Sequence, residues 1–192
     1  MLRLTGYRTM AWVKMGCASL AVGLLCLLAG DIGSAPGDTR SNGWSEVTWP
    51  FLTDQWGTGR AFRCESEQCG SKVYVYLRAK IGFCRCATGV SDDDEIDRIG
   101  DVELIGPEYK ALASGHPITV GTLVGRVRLF LVARPFQSRV SALAVALANH
   151  CDAIVATVVA EPDIRAVEEQ AALAFLRSDT VQLWAQVNTG AQ

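Results

Sequence analysis

No Cys-x-x-Cys pair occurs in the chain, and histidine is nearly absent, with only His116 and His150 among 192 residues. The first absence counts against dithiol oxidoreductase chemistry, which depends on two sulfurs at that spacing. The second leaves few side chains that exchange a proton near neutrality. There is no nucleophile-elbow serine, no phosphate-binding loop and no dinucleotide glycine fingerprint. The signatures of the α/β-hydrolases, phosphate-loop NTPases and nucleotide-dependent dehydrogenases are therefore missing. Excess charge is missing too: 18 Lys and Arg stand against 20 Asp and Glu, a net charge of −2. That balance gives no electrostatic draw toward nucleic acid, so no nucleic-acid partner is expected. No internal repeat is visible at any solenoid period.

What is present is apolar: 49% of residues are hydrophobic and 20% charged. This composition excludes wholesale disorder and collagen-like chains. Residues 1–14 carry Arg3, Arg8 and Lys14 and no acid, and residues 15–30 then run without a charge. A basic leader before an apolar stretch reads as a signal peptide or an uncleaved signal anchor. Signals for cleavage near Ala35 are poor because Pro36 would follow, so a retained anchor is the expectation, with the domain outside the cytoplasm. It implies an inner or plasma membrane location, or a secreted or periplasmic one if the signal is cleaved. Residues 31–43, rich in Gly, Ser, Pro and Asp, read as a flexible linker. Residues 44–192 then form a single exported globular domain.

The domain begins with strands and ends with helices. Residues 44–51 and 60–63 lean to strand, and residues 72–83 alternate most clearly. Val73, Val75, Leu77, Ala79 and Ile81 share one face there, and Tyr74, Tyr76, Arg78 and Lys80 the other. Residues 125–132 alternate again and either pair with 118–124 or follow it around a Gly-containing bend. Residues 138–149 are Ala-rich behind Ser138 and read as a helix, with strand as the competing reading. Residues 153–160 are β-branched and apolar throughout, as a central buried strand should be. Pro162 and Asp163 open a long helix with a division at Ser178-Asp179. Its apolar stripe holds Val167, Ala171, Leu173, Ala174, Leu176, Leu183 and Trp184, and Glu168 faces water. The expected fold class is α+β: a mainly antiparallel sheet packed on one face by C-terminal helices, preceded by one N-terminal membrane helix or signal segment.

Cysteine is the most informative residue type. Of seven, Cys17 and Cys26 lie in the apolar leader, and the domain keeps Cys64, Cys69, Cys84, Cys86 and Cys151. Outside the cytoplasm thiols oxidise, so disulfides are expected, with one sulfur left over. Cys64 and Cys69 flank a short loop between strands and can face one another. A bulge at Gly82 would turn Cys84 or Cys86 toward Cys151, the residue ahead of the buried strand. The alternative is a thiolate site for copper or zinc, or thiol redox chemistry, built from Cys64, Cys69, Cys84 and Cys86. The default expectation is no cofactor.

Residues 91–97, Ser-Asp-Asp-Asp-Glu-Ile-Asp, invite a calcium reading, but Arg98 occupies the glycine place and Leu104 the bidentate glutamate place. A helix start with Ser91 and Asp94 as a capping box fits better. His150-Cys151-Asp152 holds parts of a nucleophile system, yet neighbours in sequence do not face one another. Trp44, Trp49, Phe51, Trp56 and Phe62 either seal a sheet edge or line a groove. These readings point away from an enzyme. The expected role is binding or assembly, with the membrane engaged through the N-terminal segment and a protein as the possible partner.

Overall fold

The computed structural model describes residues 43–83, 85–135 and 138–189. The anchor and linker readings over residues 1–42, and everything concerning Cys84, lie outside the described residues. Within them the fold is α+β, an antiparallel sheet of eight strands with two C-terminal helices. The strands are β1 (Trp44–Val47), β2 (Arg60–Cys64), β3 (Lys72–Lys80), β4 (Glu108–Ala111), β5 (His116–Val120), β6 (Leu123–Ala133), β7 (Val140–Asn149) and β8 (Asp152–Glu161). They lie in the order β1-β2-β3-β8-β7-β6-β4, and β5 shares the outer edge of β6 with β4. The helices are α1 (Ser66–Cys69), α2 (Asp93–Ile99), α3 (Ala166–Leu176) and α4 (Asp179–Thr189).

Residues 153–160 lie in β8, between β3 and β7, as their unbroken apolar run demands. Of the two readings of residues 138–149, helix first and strand as its competitor, the strand holds over residues 140–149 as β7, and the reason is burial. β7 is covered on both sides. Its Leu143, Val145 and Leu147 pack with Val73, Val75, Ile154 and Val158 under α3 and α4, through Ala172, Phe175, Leu176, Val181 and Ala185. Its other face carries Ala142, Ala144 and Ala146, which meet Ile96, Ile99 and Val102 from α2 and the 3-10 turn Val102–Leu104. Small side chains let this second layer approach closely. Gly89, at φ +59°, comes so near that an added Cβ would lie 2.6 Å from that of Ala148. Helices therefore cover both faces, a correction to the one-sided packing expected.

Several boundaries shift for local reasons. β1 ends at Val47, where the chain runs out into Thr48-Trp49-Pro50, and β3 ends at Lys80. Gly82 (φ +67°) sits in a turn and not in a bulge, so Ile81 is 44% exposed instead of inward. The cap of α2 is Asp92 and not Ser91. Asp92 Oδ1 accepts the Glu95 N–H at 2.8 Å, while Ile96 and Ile99 are fully buried. Asp92→Ala should therefore cost about 0.5–2 kcal/mol in a urea titration. Ser91→Ala should cost less, and the reverse order would count against this cap.

The C-terminal helices divide at Ser178, whose N–H donates to the Phe175 carbonyl at 2.9 Å. Phe175 stacks on Trp44 at 4.4 Å and tilts against Phe62 at 4.8 Å. Val167 and Leu183, expected on the apolar stripe, are 47% and 61% exposed. Glu168, expected in water, is fully buried. It reaches back to the Arg165 N–H at 3.0 Å and is ion-paired with the Arg165 guanidinium. Those side-chain hydrogen bonds hold its pKa down to about 2, against the opposing effect of burial. A carboxyl depressed in the folded state stabilises above its unfolded pKa, and the contribution fades as pH falls through the folded value. Glu168→Gln should flatten the loss of stability between pH 4.5 and about 2. Urea midpoints across that window measure it, and an unchanged acid limb would contradict the assignment.

Candidate functional site

The hairpin from β2 to β3 turns through α1, which brings Cys69 back beside Cys64. The two form a disulfide with an S–S distance of 2.02 Å, and both are buried. At the other end of β3 the chain leaves through the turn at residues 81–82. Cys86, beyond that turn, bonds Cys151 in the β7–β8 turn at 2.01 Å, across a sequence separation of 65. Cys86 is exposed and Cys151 half-buried. Cys64 pairs with Val73 near the start of β3, whereas Cys86 follows its end. The alternative copper or zinc ligands Cys64, Cys69 and Cys86 are therefore not brought together, and each is spent in a disulfide that offers no thiolate.

A second cluster lies on the face of β3 that carries Tyr74, Tyr76, Arg78 and Lys80. Arg78 and Lys80 of β3 are 1% and 3% exposed. They are covered by the loop after β1 and by the segment that leaves α2. Arg78 Nε and Nη2 donate to the Asp101 carboxylate at 2.9 and 2.7 Å, and Nη1 donates to both Asp54 oxygens at 2.7 Å. Lys80 Nζ lies 2.7 Å from Asp101 Oδ1 and donates to the Ile99 carbonyl at 2.9 Å. Trp49 lies against Arg78, and Trp56 and Phe83 against Lys80, at 5.4–5.8 Å from ring centroid to cation. Burial works against the charge on Arg78, but the hydrogen bonds to Asp101 and Asp54 outweigh it and raise its pKa. At Asp54 burial likewise opposes charge, and the Arg78 hydrogen bonds still hold the carboxyl below its ordinary value. Burial pushes the neighbouring Glu103 carboxyl up. Two cations and two carboxylates thus satisfy one another, and the cluster ties β3 to two covering segments. Sequence reading missed Asp54 and Asp101, because nothing local marks an acid that will meet a distant cation.

The other expected sites are dispersed. Asp93 accepts from Arg126 Nε at 3.0 Å and from the Gly115 N–H at 3.1 Å, and Asp97 accepts from Arg128 at 2.7 Å. Arginines therefore occupy the carboxylates that a calcium ion would need. His116 opens β5, opposite Val127 of β6, and His150 occupies the β7–β8 turn at φ 55°. Asp152 accepts the Gly82 N–H at 2.7 Å. The aromatic group is split by the sheet. Trp44 and Phe62 meet Phe175 on the α3 side, Trp49 and Phe51 meet Tyr76 on the opposite side, and Trp56 meets Phe83.

No protein-family model and no curated protein matches this chain. The two disulfides among the described residues are features of an oxidising, extracytoplasmic compartment.

Proposed function

We propose that the chain is a membrane-tethered exported domain, periplasmic in type, held by disulfides and serving a non-catalytic binding or assembly role. The observation that carries the reading is the pairing of the described cysteines, Cys64 with Cys69 and Cys86 with Cys151. Such bonds persist where thiols are not kept reduced. The basic leader and apolar run of residues 1–30 supply the tether. The interior supports a scaffold role, since Arg78 and Lys80 are committed to Asp54 and Asp101 and position no proton for transfer. A protein is the partner this reading favours, and the net charge of −2 gives no reason to expect nucleic acid.

The test is a topology reporter fused after Gln192. A reporter active only outside the cytoplasm should give signal, and one active only inside should stay silent. The opposite pattern would end the exported reading.

A further inference from the structure

The two disulfides differ in access. Cys64 and Cys69 are 0% and 3% exposed, packed in the core with Trp44, Phe62 and Phe175. Cys86 is exposed, in the irregular segment between β3 and α2, and Cys151 is half-buried at a hairpin turn. A thiolate must approach a sulfur to exchange with it, so access ranks the two bonds.

We infer that Cys86–Cys151 is a thiol–disulfide exchange site for a dithiol protein of the Cys-x-x-Cys class, with Cys86 as the attacked sulfur. The choice of an exported partner rests on the proposed location, whereas the exchange chemistry does not. The partner's thiolate attacks Cys86 Sγ. The Cys86–Cys151 bond breaks, and its electron pair leaves on Cys151 Sγ, which takes a proton from water. The partner's second thiolate then attacks the mixed disulfide and releases Cys86, which is protonated in turn. Two electrons pass from the partner, which ends as a disulfide, the two protons come from water, and the reverse sequence closes the bond.

The fold keeps both sides of the bond in place when it opens. The turn bearing Cys151 is fixed by the β7–β8 pairing, down to Asn149 opposite Asp152. The segment bearing Cys86 is held at one end by the Gly82 N–H on Asp152 and at the other by Val90, 4% exposed in the core beneath β7. Opening therefore exposes two thiols on a folded domain.

The experiment uses the oxidised full chain, alone and as the Cys84→Ser variant, which leaves the four bonded sulfurs unchanged. Graded dithiothreitol is followed by alkylation and peptide mapping, with tryptophan fluorescence as the readout of folding. Cys86 and Cys151 should become alkylated at least about tenfold faster than Cys64 and Cys69, with fluorescence unchanged. A thioredoxin-like protein lacking its second active-site cysteine should be trapped on Cys86. Equal rates for the two bonds, opening only with unfolding, or trapping at any other cysteine or none would overturn the inference. A failed topology reporter would leave these rates untouched, so the two readings fail separately.

Discussion

Asp101→Asn is expected to destabilise the domain by about 3–5 kcal/mol, because it leaves two buried cations short of their shared anion. The Asp101 carboxylate receives Arg78 through two nitrogens and Lys80 at 2.7 Å, and all three side chains are at most 4% exposed. Asparagine keeps the shape and one acceptor but removes the charge. Desolvation of Arg78 and Lys80 then goes uncompensated, and Asp54, whose side chain is 41% exposed, is the remaining partner. Urea titration gives the loss directly. A double-mutant cycle with Arg78→Met separates the pair from its surroundings, and contacting residues of this kind couple by about 0.5–3 kcal/mol. Arg78→Lys is no conservative change, since an ammonium cannot bridge Asp101 and Asp54 as the guanidinium does. Single-mutant losses below about 1 kcal/mol that simply add would show that the cluster is not a buried clamp.

This cluster also shows where the sequence stops being legible. Alternation along β3 correctly separates Val73, Val75 and Leu77 from Tyr74, Tyr76, Arg78 and Lys80. It cannot say that the second set is covered, because the cover comes from segments centred on Asp54 and Asp101, more than twenty residues away in each direction. β8 was legible because an unbroken β-branched run fits only a strand buried on both faces. β7 was not, because alanine fills its second face, and alanine favours helix when read locally. In α3, Glu168 looked solvent-facing by period, yet its pairing with Arg165 lets it turn inward as a capping group. Cysteine spacing suggested the short Cys64–Cys69 loop but left the partner of Cys151 open between Cys84 and Cys86. The structure joins Cys151 to Cys86, beyond the turn at Gly82.

The Cys86–Cys151 bond should contribute more stability than Cys64–Cys69, even though it is the more accessible of the two. The long bond closes a loop across 65 residues, the short one across 5. In the chain-entropy model those lengths correspond to about 4 and about 2 kcal/mol, because the longer loop removes more freedom from the unfolded chain. Burial does not enter that difference, since it is a property of the folded state. The Cys86→Ser/Cys151→Ser double variant is therefore expected to lose about 4 kcal/mol while keeping the native fold. Replacing both partners leaves neither of them as a lone thiol, and the β3–β8 and β7–β8 ladders that align the two sites remain. Its unfolded state also expands once the link is gone, so the urea m-value should rise along with the fall in midpoint. Cys64→Ser/Cys69→Ser adds a different cost, because its two hydroxyls would sit in the apolar core beside Trp44 and Phe62. Cys64→Ala/Cys69→Ala is the cleaner comparison for loop entropy. A larger loss in that alanine variant than in the Cys86/Cys151 pair, with no change in m-value for the latter, would show that the long loop is already constrained in the unfolded chain.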